Sequence, residues 1–162
     1  MLYFAYGSNM CKSKLRGITS SCKEQFVAKL KKHNLRFHKQ STDESGKADA
    51  YYTDNEIDVV LGVVFNVDDS EVRNLDESEG GYNRTDIEVF DNEGNPHNVK
   101  TYIAKKDRIY PALKPYTWYK RLVIEGACQH SLPEEYVAEI EVIESKEDSN
   151  KERNAKYRAI QC

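Results

Sequence analysis

The chain opens on an apolar and aromatic run, Leu2-Tyr3-Phe4-Ala5-Tyr6, that stops at Gly7-Ser8-Asn9 and resumes at Met10. A run apolar on both faces predicts a buried strand over 2–6. Residues 10–17 then predict a short helix capped by Asn9 or Ser13. Alternation in Leu35-Arg36-Phe37-His38 predicts a strand with one wet face within 30–38, and 41–47 reads as a loop. The strongest strand signal is 57–67, dense in Val and Ile. Asp68-Asp69-Ser70 supply a cap for a helix over 71–79, which Gly80-Gly81 stops. Strand character returns at 82–90, breaks at the hairpin turn 91–96, and pairs back over 98–104. Beyond Pro115 the period changes. Trp118, Leu122 and Gly126, with Tyr119 and Val123 alongside, fit a helix. Ser131 or Leu132 caps another, with Pro133 in its first turn and Tyr136, Ile140 and Ile143 on one face.

These elements add up to one α+β domain over residues 1–145, with largely antiparallel strands and helices mainly toward the C-terminal end. Residues 146–162 form a charged tail, with Tyr157 and Ile160 placed to anchor its end. A length of 162 residues can bury a proper core, and 11 Tyr, 5 Phe and 1 Trp separate the chain from a disordered composition. The net charge of −3 argues against a general nucleic-acid surface. No apolar run approaches bilayer length, and the first one lacks the basic leader and length of a signal peptide. The expectation is a cytoplasmic protein without membrane or nucleic-acid partners. Cys11, Cys22, Cys128 and Cys162 form no CxxC pair, and no His completes a zinc site, so reduced thiols are expected. His33 and His38 fall in a basic stretch, 29–39, that reads as a solvated face.

Two segments carry chemistry. In Tyr6-Gly7-Ser8-Asn9, glycine allows a sharp turn and close ligand approach. Successive N–H groups there can form an anion-holding nest, with Ser8 and Asn9 adding a hydroxyl and an amide. The same residues also make an ordinary turn with an Asx cap. In Leu75-Asp76-Glu77-Ser78-Glu79-Gly80, Asp76 and Glu79 share a helix face. Two close carboxylates resist double ionisation, burial would push one pKa further up, and a raised carboxyl pKa suits acid–base work near neutrality. The alternative is an exposed acidic helix end, although Glu79 sits near the C-terminus, against the helix dipole.

Together these segments resemble the gamma-glutamylcyclotransferase-like family, which includes the AIG2-like and BtrG-like proteins. The likeness rests on Tyr3-Phe4-Ala5-Tyr6-Gly7-Ser8-Asn9-Met10, then Gly62-Val63-Val64-Phe65, then Leu75-Asp76-Glu77-Ser78-Glu79-Gly80. Trp118-Tyr119-Lys120-Arg121-Leu122-Val123-Ile124-Glu125-Gly126-Ala127 and Leu132-Pro133-Glu134-Glu135-Tyr136 draw it toward the cyclotransferase branch. The resemblance spans most of residues 2–144. It implies a small mixed, largely antiparallel β-barrel with flanking helices and a pocket at the barrel mouth. It also implies that Glu79 is the catalytic acid–base and that Tyr6, Gly7, Ser8 and Asn9 cradle a gamma-glutamyl group. Tyr102 matches a strand tyrosine that contacts the glutamyl end. Tyr82 and Arg84 match a Tyr-x-Arg common in AIG2-like members. Tyr82 and Tyr102 also suit a core role with satisfied hydroxyls. Gly81 replaces the small apolar residue more usual after Glu-Gly, which bears on pocket shape.

The implied reaction is intramolecular. The alpha-amine of a gamma-glutamyl peptide or amino acid attacks its own gamma-carbonyl, releasing 5-oxoproline and a free amine, with no cofactor or metal. The implied partner is a small gamma-glutamyl molecule, and a homodimer is compatible with the likeness. Two other readings stay open: a same-fold enzyme acting on a gamma-glutamylamine or glutamylated biosynthetic intermediate, and a non-catalytic module binding a small carboxylate.

Overall fold

A computed structural model describes residues 1–162. Five strands close a barrel in the order β1-β5-β2-β6-β7: β1 (Leu2–Ala5), β2 (Lys23–Lys31), β5 (Val59–Asn66), β6 (Tyr82–Phe90) and β7 (Pro96–Ala104). The run Val60 to Phe65 is buried throughout because β5 lies between β1 and β2, with both of its faces covered. β1 and β2 pair antiparallel with β5. The hairpin of β6 and β7 keeps its expected register, from Tyr82 opposite Ala104 to Phe90 opposite Pro96. The ring closes where β1 meets β7 in parallel, at Tyr3 and Lys100. The fold is therefore α+β with a mixed, mostly antiparallel barrel, as expected.

A second sheet was not legible. β3 (His33–Gln40) and β4 (Gly46–Tyr52) form a two-stranded ribbon outside the barrel. This corrects the solvated reading of 29–39, since His38 and Lys39 are both buried. His38 Nε2 bonds Asp49 Oδ2 at 2.9 Å, and Asp49 Oδ1 accepts the Ala104 N–H at 2.8 Å, which fastens the ribbon to the end of β7. A buried carboxylate needs such partners to offset its lost hydration.

The helices are α1 (Lys12–Arg16), α2 (Val72–Ser78), α3 (Thr117–Gln129), α4 (Glu134–Glu141) and α5 (Lys151–Arg158). Pro133 is the N-cap of α4 rather than a first-turn residue, and Ser131 takes a left-handed φ of 54° in the turn before it. Leu122, Val123 and Ala127 of α3 and Ile140 of α4 are buried in one core with Phe4, Met10, Leu15 and Phe65.

The C-terminal segment packs onto α3. The Tyr157 ring stacks on Trp118 with centroids 4.0 Å apart, and Arg121 Nη2 donates to the carbonyls of Tyr157 and Ile160 at 2.9 and 3.1 Å. Asp148 accepts from Trp118 Nε1 at 2.9 Å and from Arg153 Nε and Nη2, each at 2.7 Å. Cys162 is disulfide-bonded to Cys11, with Cα atoms 4.8 Å apart. That corrects the expectation of four reduced thiols: spacing in sequence gave no hint of a pairing across 151 positions, and only Cys22 and Cys128 are free.

Candidate active site

β1 delivers Tyr6 to the barrel mouth, where Gly7 breaks the strand and Ser8–Met10 make a single 3-10 turn. The turn is closed by Met10 N–H to Gly7 O at 3.0 Å and Cys11 N–H to Ser8 O at 3.2 Å. It is clamped from behind by His130, whose Nε2 lies 2.8 Å from Met10 O. Gly7 lies against the ribbon: a Cβ there would sit 3.1 Å from Ala48 Cβ and 3.4 Å from the Tyr119 hydroxyl.

This turn borders a cavity of about 380 Å³ between the barrel mouth, the ribbon, α3 and α5. Glu79 lines that cavity. It is the C-cap of α2, where φ −97° and ψ 41° turn the chain out of the helix. Its Oε1 accepts from Asn9 Nδ2 at 2.7 Å. Asn9 Nδ2 also donates to the Tyr3 hydroxyl at 3.0 Å, and Lys14 Nζ donates to Asn9 Oδ1 at 2.5 Å. Because an ammonium can only donate, Lys14 fixes the orientation of the Asn9 amide and turns its NH₂ toward Glu79.

Glu79 touches solvent only partly, through the cavity. Burial raises its pKa above the usual carboxylate value, opposed first by Lys14, then by Lys39 and the Asn9 amide. Of the two expected causes, burial holds and repulsion from Asp76 is corrected. Asp76 faces the other way, accepting from Tyr102 OH at 2.9 Å and Arg84 Nη1 at 2.7 Å, which leaves burial as the cause. A carboxyl with raised pKa, reached only from a cavity, can exchange protons near neutrality with whatever occupies that cavity.

Of the other residues singled out, Tyr6, Gly7, Ser8, Asn9, Tyr82 and Tyr102 all line the cavity with Glu79. Tyr6 OH donates to Tyr102 O, and Tyr82 OH donates to Ala48 O at 2.7 Å, so these hydroxyls also tie elements together. Arg84 does not line the cavity. It is exposed, and through Asp76 it braces Tyr102. Gly81 has φ +86°, and a Cβ on it would lie 2.8 Å from Lys39 Cε, so glycine both permits the turn and admits the lysine.

Tyr3, Lys14, Lys39, Lys47, Tyr119 and Arg153 also line the cavity and were not singled out. One signal was present. Lys39 continues the Leu35, Phe37 alternation, a lysine at an inward position. It donates to Gly80 O at 2.5 Å, and its ammonium lies 4.4 Å from the Tyr82 ring centre. The rest come from elements that only the tertiary fold brings together.

The sequence profile of the AIG2-like family matches residues 59–140. The gamma-glutamylcyclotransferase of Mus musculus is 29% identical over 157 residues, covering 93% of this chain and 82% of the mouse protein. That of Homo sapiens is 29% identical over 159 residues, with the same shares covered. A solved structure titled gamma-glutamyl cyclotransferase superposes with a TM-score of 0.84 at 27% identity, covering 97% of each chain.

Proposed function

The chain belongs to the AIG2-like family, and on that premise we propose that it is a gamma-glutamylcyclotransferase. The observation that carries the reading is the Glu79 carboxyl, enclosed in a cavity and bonded to Asn9 of the glycine turn. The relatives and the superposed structure with that name support it.

In the proposed reaction the gamma-glutamyl group lies between the Tyr6–Asn9 turn and Glu79. Folding the substrate so that its alpha-amine faces its own gamma-carbonyl is the first contribution, a proximity effect. Glu79 takes a proton from the attacking nitrogen as the new C–N bond forms. It delivers that proton to the leaving nitrogen as the old C–N bond breaks. The products are 5-oxoproline and a free amine, and no water is consumed. Such proton transfer contributes about 100- to 10,000-fold in rate. The N–H groups that open the 3-10 turn have no partner within it and suit the oxygen that gains charge.

The test is incubation with gamma-glutamyl-alanine, glutathione and gamma-glutamyl-lysine while 5-oxoproline is followed. We expect release from the dipeptide and loss of at least about 100-fold in turnover in Glu79→Gln, with an unchanged circular dichroism spectrum. Release from the lysine derivative alone would move the assignment to gamma-glutamylamines. Release from none would leave a carboxylate-binding module, and full activity in Glu79→Gln would remove that residue from the chemistry.

A further inference from the structure

Part of the cavity lining is not used by the proton transfer. Four cationic side chains line the whole space, Lys14, Lys39, Lys47 and Arg153, against two carboxylates, Asp43 and Glu79. This excess of positive charge stands out in a chain whose net charge is −3. Lys14 and Lys39 act on the Glu79 carboxyl and each donates one hydrogen bond, to Asn9 Oδ1 and Gly80 O. Lys47 is bonded instead to Asp43 and Ser45 and is not among the groups that act on Glu79.

Lys47 lies in β4, next to Ala48, whose N–H donates to the Tyr119 hydroxyl at 3.1 Å. Gly7 of the glycine turn packs against that same pair. The Lys47 ammonium lies 4.5 Å from the Trp118 ring centre and 4.6 Å from that of Tyr119. It donates to Asp43 Oδ2 at 2.7 Å and to Ser45 Oγ at 2.8 Å, so one of its three hydrogens has no protein acceptor. Burial lowers its pKa to about 8, with Asp43 opposing the shift and Lys39 and Lys14 adding to it, so it remains mostly charged at neutral pH. Beyond it, the stacked pair Trp118 and Tyr157 forms an apolar wall, and Arg153 turns Nε and Nη2 to Asp148 while Nη1 makes no protein hydrogen bond.

We propose that this part of the lining is a leaving-group subsite in which Lys47 holds a carboxylate of the departing amine, with the Trp118–Tyr157 pair flanking the rest of that group. The inference rests on the cyclotransferase reading and makes Lys47 a specificity-determining residue for it. The chemistry fits. In a gamma-glutamyl alpha-amino acid the second carboxylate hangs on the carbon next to the scissile nitrogen. A simple gamma-glutamylamine has no such group and leaves the third hydrogen of Lys47 without an acceptor. Asp43 keeps the ammonium in place without consuming its last hydrogen, and the Lys47 charge itself disfavours a leaving group that brings a second ammonium.

The test compares kcat/KM for gamma-glutamyl-alanine and gamma-glutamyl-alaninamide, which differ only in that carboxylate. Wild-type protein is expected to prefer the acid by about 10- to 100-fold, the range of a charge-assisted hydrogen bond. In Lys47→Met the acid-to-amide ratio is expected to collapse to within about threefold, mostly through KM for the acid. Lys47→Arg is expected to restore much of the ratio. Lys47→Gln, which keeps the length and a donor, stands in if the methionine variant does not fold. A wild-type ratio near one, or the same large ratio in the lysine variants as in wild type, overturns the subsite. Absence of 5-oxoproline from both compounds in wild type strikes the cyclotransferase reading instead, so the two failures are distinct.

Discussion

Glu79 holds a charge where the protein would be more stable without one. Its folded pKa is raised, so the unfolded chain ionises it more readily. The folded state therefore loses stability as pH rises from the unfolded value near 4.5 toward the raised folded value. Glu79→Gln keeps the acceptor for Asn9 Nδ2 and removes the charge. It should melt at a higher temperature than wild type at pH 8, with the gain vanishing below about pH 4.5. Calorimetry across pH checks this, and a gain independent of pH would mean that burial is not what sets the proton affinity. This is the expected signature of a residue kept for chemistry at the expense of stability. The sequence singled it out as a candidate through the family resemblance and because an acid at a helix C-terminus runs against the local electrostatics. Its burial was expected to raise its pKa, but the part assigned to Asp76 was misread. Asp76 sits at the right helical spacing, but the side chain turns to Tyr102 and Arg84, and one helix viewed alone cannot show that.

At the scale of elements, the Gly7–Met10 turn is held by the fit of α3 against it. Gly126 is the contact point: a Cβ there would stand 2.7 Å from Cys11 N and 2.8 Å from Met10 Cβ. Both are rigidly placed, so Gly126→Ala should cost about 1–3 kcal/mol in urea unfolding. Displacing the turn should also lower kcat/KM by more than tenfold, since sub-ångström placement governs a ring closure. Unaltered kinetics would show that α3 supports the fold but not the turn. Elements with a strong period were readable: β5 from its Val-rich run, the β6–β7 hairpin from its turn, α3 from Trp118, Leu122 and Gly126. β2 and β4 were not. Lys23-Glu24-Gln25 and Gly46-Lys47 carry little strand signal by themselves, and they are strands because β5 and β3 offer them partners.

For the molecule as a whole, the bond between Cys11 and Cys162 matters more than its place at one edge suggests. It holds α5, and with it Arg153 and Tyr157, against the segment that follows the glycine turn. Closing a loop of 151 positions restricts the unfolded chain by up to about 5 kcal/mol on a chain-entropy estimate. Cys162→Ser, or wild type under reductant, should therefore lose about 10 °C or more in Tm. Equal melting temperatures with and without reductant would mean that packing of Tyr157 on Trp118 already does the work. No composition argument could have paired these two cysteines, because the pairing follows from where α5 returns.

The same bond decides how the molecule would respond to force. Stretched between residues 1 and 162, everything from Cys11 onward is short-circuited by the sulfur–sulfur link. Only the first ten residues, β1 and the turn with its YGSN motif, lie outside that loop. An optical trap should therefore record a release of about 35 Å, at ~3.5 Å per residue, followed by a hard stop. After reduction the full contour should pay out. That first short rip would unzip the seam at which the barrel closes and dismantle the rim of the cavity beside Glu79, while the rest of the fold stayed tethered.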